Sequence, residues 1–179
     1  ARPRPVQFQP QNIRAIIEEV LALVENELRR GSIDVKFGFP NEDLAVYGDE
    51  QQLHQVFLNL IMNAIDSMDG LDEGILDIEI EKGFMSPPDG HRTSVFDTQP
   101  CVVISLIDSG CGIPDDSIQE LFTPFYTTKD KGCGLGLAVV HGIIVEHGGI
   151  IDVSSAVHEG TTMKISLPKA QSIVVTAQV

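Results

Sequence analysis

Residues Asp49 to Met68 constrain this chain more than any others, because they form one helical segment with two stripes of different character. At 100° per residue, Leu53, Val56, Phe57, Leu60, Ile61 and Ala64 fall on one face, which has to be buried against another layer. Asn59, Asn63 and Asp66, spaced i, i+4, i+7, fall on a second stripe roughly 130° away. Asparagine is a mediocre helix former, so two of them one turn apart weaken the helix for some other purpose. A carboxamide oxygen is a neutral ligand suited to Mg²⁺, which takes few protein ligands and leaves positions for phosphates and water. An isolated Asn-x-x-x-Asn is more often an ordinary solvated face.

The rest of the chain supplies the layer this helix needs. Ile13 to Arg30 predicts a first amphipathic helix, with Ile13, Ile16, Ile17, Val20, Leu21, Val24 and Leu28 on one stripe and Gly31 as the stop. Val35 to Phe39 reads as a short strand. Ile75 to Glu81 alternates Leu76, Ile78 and Ile80 with Asp77, Glu79 and Glu81, the pattern of a half-buried strand. Cys101 to Ile107 is apolar on both alternating faces, which predicts a central strand. A short helix is expected at 115–121 and a third long helix from the glycines at 132–136 to His147. A hairpin is expected from 150–155 and 161–167 around His158, Glu159 and Gly160. Phe84 to Pro100, with three prolines, reads as a long surface loop. Helices and strands are mixed without strict alternation, so the expected fold is a two-layer α/β sandwich. Residues 1–11 read as a linker from something upstream, 12–168 as one domain, and 169–179 as a tail or linker.

Composition narrows the function classes. With 179 residues, one domain with a real core is expected. Twelve Lys plus Arg against 26 Asp plus Glu give a net charge of −14, which repels phosphate backbones and argues against nucleic-acid partners. No apolar run approaches the ~18 residues of a membrane span, so this segment is not expected to touch a membrane. Three cysteines without a CxxC fit a reduced, cytoplasmic setting.

Three further segments carry candidate chemistry. Asp108, Ser109, Gly110, Cys111, Gly112 and Ile113 follow the central strand directly. A carboxylate there can accept from an exocyclic amine such as that of adenine, and the glycines allow a tight turn against a flat ligand. Gly132, Gly134 and Gly136 alternate with Cys133, Leu135 and Leu137 ahead of a helix, leaving backbone N–H groups and a helix N-terminus for phosphate oxygens. This is neither a P-loop nor a dinucleotide fingerprint. Between them lie Phe122, Thr123, Pro124, Phe125, Tyr126, Thr127, Thr128 and Lys129, an aromatic cluster in a chain only 6% aromatic, followed by hydroxyls and a lysine. It reads as a hinged flap with an apolar anchor.

In this order the elements are far more specific than any one of them. The chain resembles the ATP-binding catalytic domain of two-component sensor histidine kinases. Asn59 to Ala64 is similar to that family's N box, Asp108 to Ile113 to its first glycine box, Phe122 to Lys129 to its phenylalanine box, and Gly132 to Leu137 to its second glycine box. Gly160-Thr161 is similar to the final glycine-threonine element. The resemblance spans residues 8–168, and the short lid looks most like nitrogen-regulation and PAS-linked kinases.

The resemblance implies a Bergerat-type sandwich, a mixed sheet covered on one face by three long helices. It implies that Asp108 holds the adenine amine with Thr161 in support, beside Gly110, Gly112 and Ile113. Asn63 would ligate Mg²⁺, assisted by Asn59, which together with Lys129 would also act in catalysis. The backbone of Gly132, Gly134, Leu135, Gly136 and Leu137 would cradle the triphosphate, Phe122 and Phe125 would anchor the flap, and Thr127, Thr128 or Lys129 would reach phosphate oxygens. The γ-phosphoryl group would pass to a histidine on the dimerisation domain of the full-length chain, then to a response regulator receiver domain. The fragment would be monomeric and the whole kinase a homodimer.

Two departures stand out. Asp66, Ser67 and Met68 occupy positions where many relatives carry a basic or aromatic residue, which moves phosphate contact to Lys129 or Lys131. None of the five histidines lies in a His-Glu/Asp-x-x-x-Pro setting, so this segment is expected to bind ATP but hardly to phosphorylate itself. In ATPase members of the superfamily the residue at position 59 is a water-activating glutamate; asparagine cannot take a proton at neutral pH. An ATPase or serine kinase of the superfamily, and a degenerate nucleotide-binding module, remain as alternatives.

Overall fold

The computed structural model describes residues 5–40, 44–86, 98–126 and 135–170. Along the chain these form β1 (Gln9–Asn12), α1 (Ile13–Leu23), α2 (Glu25–Arg30), β2 (Ile33–Gly38), β3 (Ala45–Gly48), α3 (Glu50–Ser67) and β4 (Gly74–Met85). Then come β5 (Gln99–Asp108), α4 (Asp115–Ile118), α5 (Gly136–Glu146), β6 (Ile150–Ala156) and β7 (Gly160–Pro168). The main sheet has the order β2-β4-β5-β7-β6; β2 runs parallel to β4 and every other pair is antiparallel.

The period-two pattern of the strands decides which face is covered. Register places Ile78 opposite Leu106 and Leu106 opposite Met163, with Ile80, Ile104 and Ile165 aligned in the next row. These side chains meet Ile13 and Ile17 of α1, Leu53, Phe57 and Ile61 of α3, and Ile144 of α5 in one continuous core. Each large apolar side chain buried there contributes roughly 1.5–3 kcal/mol. The helices therefore cover one face of a mixed sheet, as expected. The other face shows Asp77, Glu79 and Glu81, plus a small cluster of Met85, Cys101 and Val103 packed with Ile150. That second cluster is why β5 reads apolar on both sides, and β5 is indeed the middle strand.

The helix starts follow from their caps. Asn12 accepts from the Ala15 N–H at 3.2 Å, and Asp49 accepts from the Gln51 and Gln52 N–H groups at 3.0 and 3.1 Å. Sequence periodicity predicts one helix over 13–30, but the backbone departs from helical values at Val24 (φ −100°, ψ 13°) and α2 resumes after it. The apolar stripe continues across the break, so periodicity does not register it.

Four boundaries move. Residues 9–11 of the segment that reads as a linker, together with Asn12, pair with β3 as a separate two-stranded sheet, Gln9 opposite Gly48. Phe8 stacks on His147 at 4.6 Å, and the Gln7 N–H donates to Asp49 Oδ2 at 2.8 Å, so this strand is tied to the start of α3 and the end of α5. The expected loop at 84–100 is shorter, because Phe84 pairs with Pro100 and Met85 with Gln99; residues 87–97 lie outside the described ones. At the other end Lys169 and Ala170 donate to the carbonyls of Pro100 and Ala45. Residues 171–179 of the expected tail lie outside the described residues. The short helix expected at 115–121 ends at Ile118.

Two glycines give opposite stability outcomes. Gly160 sits at φ +91°, and a Cβ there would lie 1.9 Å from the Asp108 carbonyl oxygen, so Gly160→Ala should destabilise by roughly 1–3 kcal/mol. Gly142 is exposed within α5, and a methyl added there would meet no atom within 4 Å, so Gly142→Ala should stabilise by about 1 kcal/mol. Urea denaturation of the two variants checks both signs.

Candidate functional site

The cleft of about 460 Å³ lies between the C-terminal half of α3, the end of β5 with the turn after it, and the start of α5. Its walls include Leu60, Asn63, Asp66 and Ser67 from α3, Asp108 to Pro114 in part, and Leu135, Gly136 and Leu137. Thr161 and Met163 of β7 close its base, and Tyr126 lines it from the segment after α4. The helical stripe explains how α3 does this: its apolar face faces the sheet, and the adjacent stripe faces the cleft.

Asp108 is the electrostatic centre. It ends β5 on the helix-covered face and is 8% exposed. Its Oδ1 accepts from the Gly110 N–H at 2.9 Å and from the Ser67 hydroxyl at 3.0 Å. Burial pushes its carboxyl above the ordinary range, and the Gly110 N–H, the Ser67 hydroxyl and the Thr161 N–H partly offset this. Thr161, its cross-strand partner, is 5% exposed, and its hydroxyl lies 2.9 Å from that of Ser155. Ser155 in turn donates to the Gly160 carbonyl and accepts from the Ile113 N–H, both at 2.8 Å. The wall that carries Ile113 is thereby tied to the β6–β7 hairpin.

The glycines of the turn serve the protein's own packing more directly than ligand approach. A Cβ on Gly110 would sit 2.1 Å from the Ser67 hydroxyl oxygen, and one on Gly112 (φ +71°) 1.9 Å from the Ala156 carbonyl oxygen.

Asn63, Asp108, Gly112, Ile113, Leu135, Gly136, Leu137 and Thr161 therefore share one cleft, as expected, with Gly110 buried behind Asp108. Asn59 does not line it; its side-chain Nδ2 is 3.5 Å from the Gly136 carbonyl, so it ties α3 to the first turn of α5. Phe122 stacks on His141 of α5 at 5.2 Å, an anchor of the expected kind. Phe125 is 75% exposed among the described residues, at φ +69°. Thr127, Thr128, Lys129, Lys131, Gly132 and Gly134 lie outside the described residues. Sequence reasoning missed Ser67 and Ser155; Ser67 stands four residues after Asn63, on the same stripe, and that spacing was the available signal.

Comparison with known proteins agrees with this fold. Residues 48–171 match the family of histidine kinase-, DNA gyrase B- and HSP90-like ATPases. Sporulation kinase A of Bacillus subtilis is 39% identical over 88% of the chain, which covers 23% of that protein. The sensory histidine kinase/phosphatase NtrB of Rhizobium leguminosarum is 36% identical over 94% of the chain and 43% of its own length. The chain thus spans less than half of either relative. Among solved structures, the nucleotide-free catalytic domain of histidine kinase ThkA superposes with a TM-score of 0.74 at 33% identity, over 91% of this chain and 96% of that one. The same kinase in complex with the response regulator protein TrrA gives 0.70 at 30% identity, over 94% of this chain and 44% of that one. The matched residues take in the whole cleft, and the chain belongs to the histidine kinase-, DNA gyrase B- and HSP90-like ATPase family, as a catalytic domain of the histidine kinase kind.

Proposed function

We propose that this domain binds Mg-ATP in the cleft and transfers the γ-phosphoryl group to a histidine on the dimerisation domain of its full-length chain, for relay to a response regulator. The observation that carries the reading is the buried Asp108 carboxylate, braced on Oδ1 by Ser67 and Gly110, in a cleft that also holds Asn63 and Thr161. A carboxylate in that position accepts from the adenine amine, and its charge makes that bond stronger than a neutral one. Leu106, Ile113 and Met163 offer apolar surface to the ring.

The donor set fits a hard cation bridging phosphates: the Asn63 carboxamide and the Asp66 carboxylate line the same cleft wall and offer oxygen donors. Asn63 would hold Mg²⁺, which when bound neutralises charge on the phosphates. Phosphoryl transfer then depends chiefly on positioning. Leu135 and Gly136 bring the N-terminus of α5 to the cleft, where its partial positive charge favours phosphate. Asn59 supplies no base for water attack, and its bond to the Gly136 carbonyl favours a role in holding α5 against α3. That supports transfer over hydrolysis.

The defining experiment mixes the domain with its own dimerisation domain, ATP and Mg²⁺. Acid-labile, base-stable phosphate on the partner is the expected product, and no transfer between properly folded partners would reject the reading. Asn63→Ala should lower Mg-dependent transfer by roughly 100-fold or more, measured in the same assay.

Asp108→Asn separates binding from stability. Loss of the charged acceptor should weaken ATP by about 1.5–3 kcal/mol in calorimetric titration. The raised carboxyl means that the folded state holds its proton more tightly than the unfolded state does. Stability from this group is fullest below the ordinary carboxylate range and is lost as pH rises through the raised value. At neutral pH the ionised group is therefore a cost, and Asp108→Asn without nucleotide should melt no lower than the parent. A melt at pH 7 checks the sign.

A further inference from the structure

Glu19 of α1 and Glu50 and His54 of α3 lie away from the cleft, and their ligand atoms all fall within 4.8 Å of one another. The imidazole sets this group apart from ordinary surface carboxylates. His54 Nδ1 is 2.9 Å from the Glu50 backbone carbonyl, and Nε2 is 2.8 Å from Glu19 Oε2. Both ring nitrogens thus face acceptors, whereas a neutral imidazole has one N–H to give. His147 shows the contrasting case: its Nδ1 faces the Ile143 carbonyl and its Nε2 accepts from the Asp49 N–H, so one neutral tautomer satisfies both sides.

A neutral His54 that gives its Nδ1–H to the carbonyl would leave its Nε2 lone pair facing a carboxylate. Two electron-rich atoms at that distance need a cation between them or on one of them. A carbonyl-fixed Nδ1–H with Nε2 directed at carboxylates is the arrangement by which proteins orient a metal-binding histidine. We propose that Glu19, Glu50 and His54 bind a divalent transition-metal ion of the zinc type, clamping α1 to α3. One nitrogen and two carboxylate oxygens suit Zn²⁺, with water in the fourth position, while Mg²⁺ prefers an all-oxygen shell. Tetrahedral ligands at normal bond lengths stand about 3.3 Å apart, so Glu19, an exposed side chain, opens by about half an ångström to admit the ion.

The test is a Zn²⁺ titration of the nucleotide-free chain, followed by long-range proton–nitrogen NMR of the imidazoles and by calorimetry. The His54 Nε2 resonance should move and saturate at one equivalent while Nδ1 stays protonated, and Mg²⁺ should leave it in place. His54→Ala and the surface change Glu19→Gln should each weaken that binding on the order of tenfold or more. Zinc uptake that leaves the His54 resonances unmoved, variants that bind as tightly as the parent, or a ring that answers to pH but not to zinc would each overturn the proposal.

Discussion

The structure turns on one buried carboxylate. Asp108 closes β5 at the point where the sheet, the end of α3 and the β6–β7 hairpin converge, and each of them touches it. Ser67 reaches it from α3, Gly110 folds back onto it from the following turn, and Gly160 packs against its carbonyl from β7. A buried charge is tolerated only with such partners. The elements that form the cleft are therefore held in register by the same group that gives the cleft its polarity. The raised carboxyl is what remains of that compromise: the partners reduce the desolvation cost without removing it.

A sheet covered on one face accounts for where the cleft lies. Above the middle of the sheet α3 touches both α1 and α5 and leaves no room. Near the end of β5, where α5 begins and α3 ends, the helical layer parts. The apolar rows of the strands continue to Leu106 and Met163, then give way to Asp108 opposite Thr161. An apolar floor with a polar end is what a purine, rather than a sugar or an ion alone, can use.

Much of this was legible because it is local. The stripe of Asn59, Asn63 and Asp66, the turn after β5 and the glycines before α5 each announce themselves within a few residues. What stayed hidden depends on contacts distant in sequence. β1 pairs with β3 across more than thirty residues and has no period-two run to mark it, with Pro10 in its middle. The extension of β4 to Met85 rests on pairing with Gln99 and Pro100, residues that by themselves read as loop. Phe125 and Phe122 have the same chemistry in the same motif, yet among the described residues only Phe122 meets a partner ring, His141, nineteen residues on. The segment at 127–134, where the resemblance puts most phosphate contacts, lies outside the described residues, so those assignments still rest on motif alone.

Ser67 shows how closely the cleft and the end of α3 are joined. In the last turn the Met68 N–H bonds to the Ile65 carbonyl instead of the Ala64 carbonyl. The Ser67 hydroxyl lies 2.7 Å from that Ala64 oxygen and 3.0 Å from Asp108 Oδ1. A hydroxyl has one proton, so the two acceptors compete for it. While Asp108 is ionised, its charge draws the proton to join the Gly110 and Thr161 N–H groups, and the helix end gives up a bond. In the proposed complex the adenine amine would add a further donor to the carboxylate, lowering its demand on the hydroxyl, which could then turn toward Ala64. Filling the cleft and completing the last turn of α3 would then favour each other, because the ligand's donor frees the single hydroxyl hydrogen for the helix.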